Sequence, residues 1–147
     1  MTCSAERAAL AALVIALAAG PAAAQAPTVV GDGLPARLAG APGDAARGRA
    51  LVADRRASLC ILCHAAPVGD PRFQGDLAPD LSGVGARLGE AQIRLRVADA
   101  RRVHGETIMP PYLSGEGGAR VAPAFRGKGV LGPEEIEDIV AWLTTLK

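Results

Sequence analysis

Cys60-Ile61-Leu62-Cys63-His64 sets two thiols three residues apart and follows the second with an imidazole. Three chemistries use that pattern: a redox dithiol, part of a zinc site, or attachment of a c-type haem. Zinc needs about four nitrogen or sulfur donors. Beyond Cys3 the chain offers Cys60, Cys63, His64 and His104. His64 adjoins Cys63, so the two hardly reach one ion in good geometry, and no second pair at zinc-knuckle spacing follows. A thioredoxin-like dithiol needs a strand–helix–strand setting, which the flanking sequence lacks. A disulfide between Cys60 and Cys63 closes too short a loop to stabilise much. The haem reading uses all three residues: each thiol bonds a vinyl carbon, and His64 ligates the iron. It predicts one haem c per chain.

The N-terminus agrees. In MTCSAERAALAALVIALAAGPAAAQA, Arg7 is the only basic residue before an apolar run from Ala8 to Ala19, and Ala22-Ala23-Ala24 offers a small-residue cleavage site before Gln25. Residues 1–24 read as a secretory signal peptide. The rival is an uncleaved anchor helix, but the run is too short to span a bilayer. Export predicts a periplasmic, oxidising location, where covalent haem attachment is made. Cys3 leaves with the signal, and the mature chain, from Gln25, has no membrane span. The formal charge is +1, which sets up no strong field toward nucleic acid or membrane. Aromatic residues are 3% of the chain: Phe73, Phe125, Tyr112 and Trp142. A small domain so poor in them needs another source of stability, and a large planar cofactor is one.

Residues 25–43, rich in Pro, Gly and Ala, read as an extended N-terminal arm. From residue 44 the chain reads as helices joined by long loops. Asp44 is an N-cap for a helix to about Ala57, with Ala45, Gly48, Leu51 and Val52 on one face. Gly48 costs helix propensity there, which points to a close backbone contact. Residues 65–89 look loop-like. A second helix runs from Glu90 to about Val103, with Ile93, Val97 and Ala100 apolar and the arginines polar. Residues 104–129 are irregular. The C-terminal helix starts at Pro133, with Glu134, Glu135, Glu137 and Asp138 toward its positive end and Ile136, Ile139, Val140, Leu143 and Leu146 as its stripe. Long structureless loops argue against an assignment unless they wrap a ligand.

A haem iron also needs a sixth ligand or an open position. Once the signal is removed, Met109 is the last methionine, in Thr107-Ile108-Met109-Pro110-Pro111-Tyr112. A thioether is a soft ligand that favours reduced iron, and two prolines stiffen its loop. The alternative is core packing. His104 and Lys128 are rival ligands. A metal-bound histidine usually donates its other ring N–H to an acceptor; the Pro79 carbonyl is the candidate for His64, unless Pro79 is an ordinary turn proline. Tyr112 either bonds a haem propionate or packs. Arg87, Arg94, Arg96, Arg101 and Arg102 either offset propionates, dock an acidic partner or form a solvated face.

CxxCH, then P-x-L-x-G-V-G, a loop methionine and an apolar C-terminal helix together resemble class I cytochromes c. The resemblance implies a small all-α fold wrapping one covalently bound haem. It also implies a close crossing of first and last helices, for which Gly48 and Trp142 match, and a histidine-orienting proline, matched by Pro79. CxxCH-x-x-P and the stretches 73–87, 94–99, 107–112 (T-I-M-P-P-Y), 127–131 and 134–143 (E-E-I-E-D-I-V-A-W-L) are more closely similar to the X subunits of SoxAX cytochromes. The likeness covers about residues 44–147. It implies a heterodimer with a SoxA-type cytochrome, a SoxYZ-type carrier whose cysteine is coupled to thiosulfate (the L-cysteine S-thiosulfotransferase activity of the complex), and a downstream cytochrome as electron acceptor. The catalytic cysteine belongs to the A subunit. This sequence agrees: with both remaining thiols taken by haem, none is left as a nucleophile, and no catalytic residue is assigned. Rival readings are a freestanding periplasmic electron carrier and a catalytic haem protein with an open iron position.

Overall fold

The structure, a computed structural model, describes residues 27–115, 121–123 and 126–147. The expected signal peptide and Phe125 lie outside them. Four α-helices follow in order: α1 (Ala45–Ala53), α2 (Val84–Arg87), α3 (Glu90–Asp99) and α4 (Pro133–Leu143). Three 3-10 turns interleave, at Cys60–Leu62, Pro71–Phe73 and Ala100–Arg102. Among the described residues the only β pairing is two isolated bridges, Val30 with Gly33 and His64 with Ala78.

α1 begins as its sequence requires. Asp44 Oδ1 accepts the N–H groups of Ala46 and Arg47, at 2.8 and 3.0 Å, and so satisfies two donors that helix geometry leaves unpaired. The helix stops at Ala53, four residues short of the expected end. Asp54 turns extended, and its carboxylate accepts from the Arg56 and Ala57 amides instead, folding a turn that ends in left-handed Leu59 (φ 63°). α4 starts at Pro133, with the Glu135 carboxylate accepting the Gly132 amide at 2.8 Å.

α1 and α4 cross in backbone contact. A β-carbon on Gly48 would sit 1.9 Å from the Asp138 carbonyl oxygen, and one on Gly43 would sit 2.0 Å from that of Glu137. The helix-breaking residue is therefore what permits the crossing. Ile136, Ile139, Val140, Trp142 and Leu143 of α4 close with Val52 of α1 and with Ile93 and Val97 of α3 into one core.

Two expectations about charge are corrected. Glu137 and Asp138 do not serve the helix N-terminus from solvent; both are buried. Nor is Arg94 on a polar face: it is 1% exposed. Its guanidinium donates to both Glu137 oxygens, at 2.7 and 3.0 Å, to the Leu34 carbonyl at 3.0 Å and to Glu90. A charge survives burial only when paired and fully hydrogen-bonded, and α3, α4 and the arm together supply those partners. Asp138 is held likewise by Arg47 (2.7 and 2.8 Å) and the Asp44 amide (2.6 Å).

The segment 27–43 lies along α3. Leu34 is buried against Leu95 and Ala98, and its amide donates to the Ala91 carbonyl at 2.8 Å. Leu38 donates its amide to Glu137 Oε1 at 2.9 Å. Leu95 and Ala98 therefore bury a second face of α3 that the apolar periodicity alone leaves to solvent. The stretch 65–89 is loop-like except for the Pro71–Phe73 turn and the single turn of α2.

Candidate functional site

Between these elements opens a cleft of about 620 Å³, within the range of about 300–1,000 Å³ common to cofactor sites. Its floor is the core: Val52, Val84, Ile93, Val97, Ile139 and Leu143 line it. Cys60, Cys63, His64, Pro79, Met109 and Tyr112, six residues spread over fifty positions of sequence, all face it.

Local hydrogen bonds hold the Cys60–His64 segment. The amides of Cys63 and His64 both donate to the Cys60 carbonyl, at 3.2 and 3.0 Å, wrapping one turn between the two thiols. Segment 75–81 is zipped alongside: Gly75 N to Ile61 O at 2.9 Å, Ala78 N to Cys63 O at 2.9 Å, Leu81 N to Ala65 O at 2.9 Å. Gly75 allows this approach, since a β-carbon there would sit 2.2 Å from the Leu62 carbonyl oxygen. The zip delivers Pro79 O to 2.7 Å from His64 Nδ1. A proline carbonyl has no proton to give, so Nδ1–H is the donor and Nε2 keeps a lone pair.

Tyr112 is buried and lies beside Cys60. Burial, and then the neighbouring sulfur, push the phenol well above its ordinary range. Burial also raises the Cys60 thiol, which donates to the Ser58 carbonyl at 3.7 Å. An activated thiol needs the opposite shift. Among the described residues no three His, Cys, Asp or Glu side chains converge as they would around zinc. Cys60 and Cys63 are not joined in a disulfide.

Met109 packs against the core and lines the cleft, its amide donating to Thr107 Oγ1 at 3.2 Å. His104 also lines the cleft, with an exposed ring; Lys128 is exposed and does not. Of the five arginines, Arg87 and Arg96 reach the cleft. Arg87 donates to the carbonyls of Ser82 (2.7 Å) and Asp80 (3.1 Å). Arg94 is committed to Glu137, and Arg101 pairs with Asp99 at 2.8 Å.

Two supports were not legible beforehand. Buried Ser58 donates to the Leu51 carbonyl at 2.8 Å and accepts the Cys60 amide at 3.4 Å, tying α1 to the thiols. Gln74 accepts the Ala66 amide at 2.7 Å and donates to the Val68 carbonyl. A polar residue beside a loop carries no periodicity to reveal such a role.

An apolar cleft with paired thiols on one edge, an imidazole whose lone pair is free and a thioether suits a flat, metal-centred ring held covalently. The family described as cytochrome c matches residues 45–147. Among solved structures, a chain of the crystal structure of SoxXA from P. pantotrophus is 33% identical with a TM-score of 0.75; the match covers 84% of this chain and 98% of that one. No curated protein gives a significant match.

Proposed function

This chain belongs to the cytochrome c family, and from that premise we propose that it is the electron-accepting haem subunit of a periplasmic SoxAX-type complex. Cys60 and Cys63 would attach the haem c, one per chain, and His64 and Met109 would ligate its iron. A haem supplies a one-electron iron couple. The protein's residues bind and tune it. Nδ1–H of His64 donates to Pro79 O, which fixes the ring and leaves Nε2 for the metal. Met109 supplies a soft donor that favours reduced iron, and the apolar floor excludes water. With His64 and Met109 both supplied by the chain, thiosulfate would find no open position on the metal.

The partner is a SoxA-type cytochrome that carries the catalytic cysteine, and the thiosulfate acceptor is a cysteine of a SoxYZ-type carrier. Oxidative coupling releases two electrons, so a chain with a single one-electron centre passes them on singly to a downstream cytochrome. Tyr112, buried in the cleft wall beside Cys60, would either pack against the attachment site or bond a propionate.

The observation that carries this reading is the convergence of Cys60, Cys63, His64 and Met109 on one apolar cleft. Expression with haem-maturation machinery tests it by mass: one haem covalently added is expected, and an apo mass overturns it. Purification from thiosulfate-grown cells tests the partner. Co-elution with a second cytochrome and thiosulfate-dependent haem reduction are expected; a monomer with neither makes the chain a freestanding carrier.

A further inference from the structure

The arm reaches the cleft. Arg96 lines the cleft and is also tied to residue 32 of the arm: Nη2 donates to Asp32 Oδ2 at 3.1 Å and Nη1 to the Asp32 carbonyl at 3.2 Å. Nη1 also donates to the Gln92 carbonyl at 3.1 Å. The Asp32 carboxylate in turn accepts Gln92 Nε2 at 3.1 and 2.9 Å. Arg96, and next Gln92, hold the Asp32 carboxyl below the usual carboxylate range. Among the described residues Nε of Arg96 has no protein partner. The guanidinium is thus gripped along one edge by the arm while its side chain forms part of the cleft wall. The grip comes from an anchored segment, since Leu34, two residues on, is buried against α3.

We infer that the Asp32–Arg96 ion pair tunes the haem: Arg96 holds a positive charge at the cleft wall, Asp32 offsets part of it, and through this pair the N-terminal arm sets the redox potential. The inference rests on the haem reading above. A positive charge held beside the cleft disfavours the more positive, oxidised iron and so raises the potential. The Asp32 carboxylate offsets part of that charge. Removing it leaves the Arg96 field uncompensated. The pair is part-exposed, at 28% and 53% for the Arg96 and Asp32 side chains, so its leverage belongs to the modest surface class.

The test is a spectroelectrochemical titration of the haem-loaded chain, with haem content checked by mass in every variant. At fixed poise, Asp32→Asn is expected to raise the reduced-to-oxidised ratio roughly two- to fivefold, the span of about 0.4–1 kcal/mol. Arg96→Met is expected to lower it by a similar factor, and Arg96→Lys, which keeps the charge, to recover most of that loss. Raising ionic strength should shrink the difference between wild type and Asp32→Asn. Unchanged potentials in loaded Asp32→Asn and Arg96→Met overturn the inference, as do shifts of the opposite sign. A wild-type chain that takes up no haem overturns the haem reading instead.

Discussion

At Gly48 a hydrogen occupies the place where any other residue would put a carbon 1.9 Å from the Asp138 carbonyl oxygen. Relief there requires α1 and α4 to separate, since the obstacle is backbone. Gly48→Ala is therefore expected to lose about 2–3 kcal/mol or more, measured by urea denaturation of the loaded protein; a change within ~0.5 kcal/mol would contradict the crossing. Asp138, one side chain from the same contact, gives a prediction in pH. Its hydrogen bonds to Arg47, and after them the Asp44 amide, lower its carboxyl below the ordinary value of about 3.9. A carboxylate lowered on folding adds stability above its unfolded value and loses it as pH falls through the folded value. Asp138→Asn should thus cost about 1–3 kcal/mol near neutrality, and the gap from wild type should close in acid. A gap that persists in acid would mean that Asn fails for another reason.

Within α3 the arginine at 94 and its neighbour at 96 behave as opposites, though both read alike as polar positions. The first is buried in a bridge to Glu137 of α4 and the Leu34 carbonyl; the second stays at the surface of the cleft wall. Periodicity could not separate them, because Arg94 turns inward only where another helix and the arm bring matching acceptors. Removing one partner strands a buried charge. Arg94→Met or Glu137→Gln is expected to cost about 3–5 kcal/mol, and Arg94→Met combined with Glu137→Met to recover much of it. Thermal melts of the three variants check this; a double variant as unstable as the sum of the singles would show that the ions themselves are required. By contrast, α4 was legible almost entirely. Pro133, the acids behind it and the stripe of Ile136, Ile139, Val140 and Leu143 are all local in sequence, and local signals decide a helix when they agree.

Taken whole, the molecule shares half of its main core with the walls of its cleft. Val52, Val84, Ile93, Val97, Tyr112, Ile139 and Leu143 belong to both. A ligand that binds only the folded state stabilises it, and here it would also fill the interior. Replacing Cys60 and Cys63 by serine is expected to drop the melting temperature by more than ten degrees (about 2 kcal/mol or more for a domain this size) and to reduce helicity by far-UV circular dichroism. An apo chain that melts like the loaded one would show that the apolar walls close on each other without it.

The division between sequence and tertiary structure follows from the range of the forces. CxxCH, the Asp44 cap and the α4 stripe are written in neighbouring residues, because spacing, capping and propensity act over a turn or two of chain. The ring of residues around the cleft was legible only as candidates: nothing local says that Pro79 O will stand 2.7 Å from His64, or that Met109 will share a wall with Ile93. The burial of Arg94, Glu137 and Asp138, the docking of the arm on α3 and the tether of Arg96 by Asp32 were decided by tertiary structure alone. A charge enters an interior only when groups from distant segments arrive together to satisfy it, and the sequence of any one segment does not carry that information.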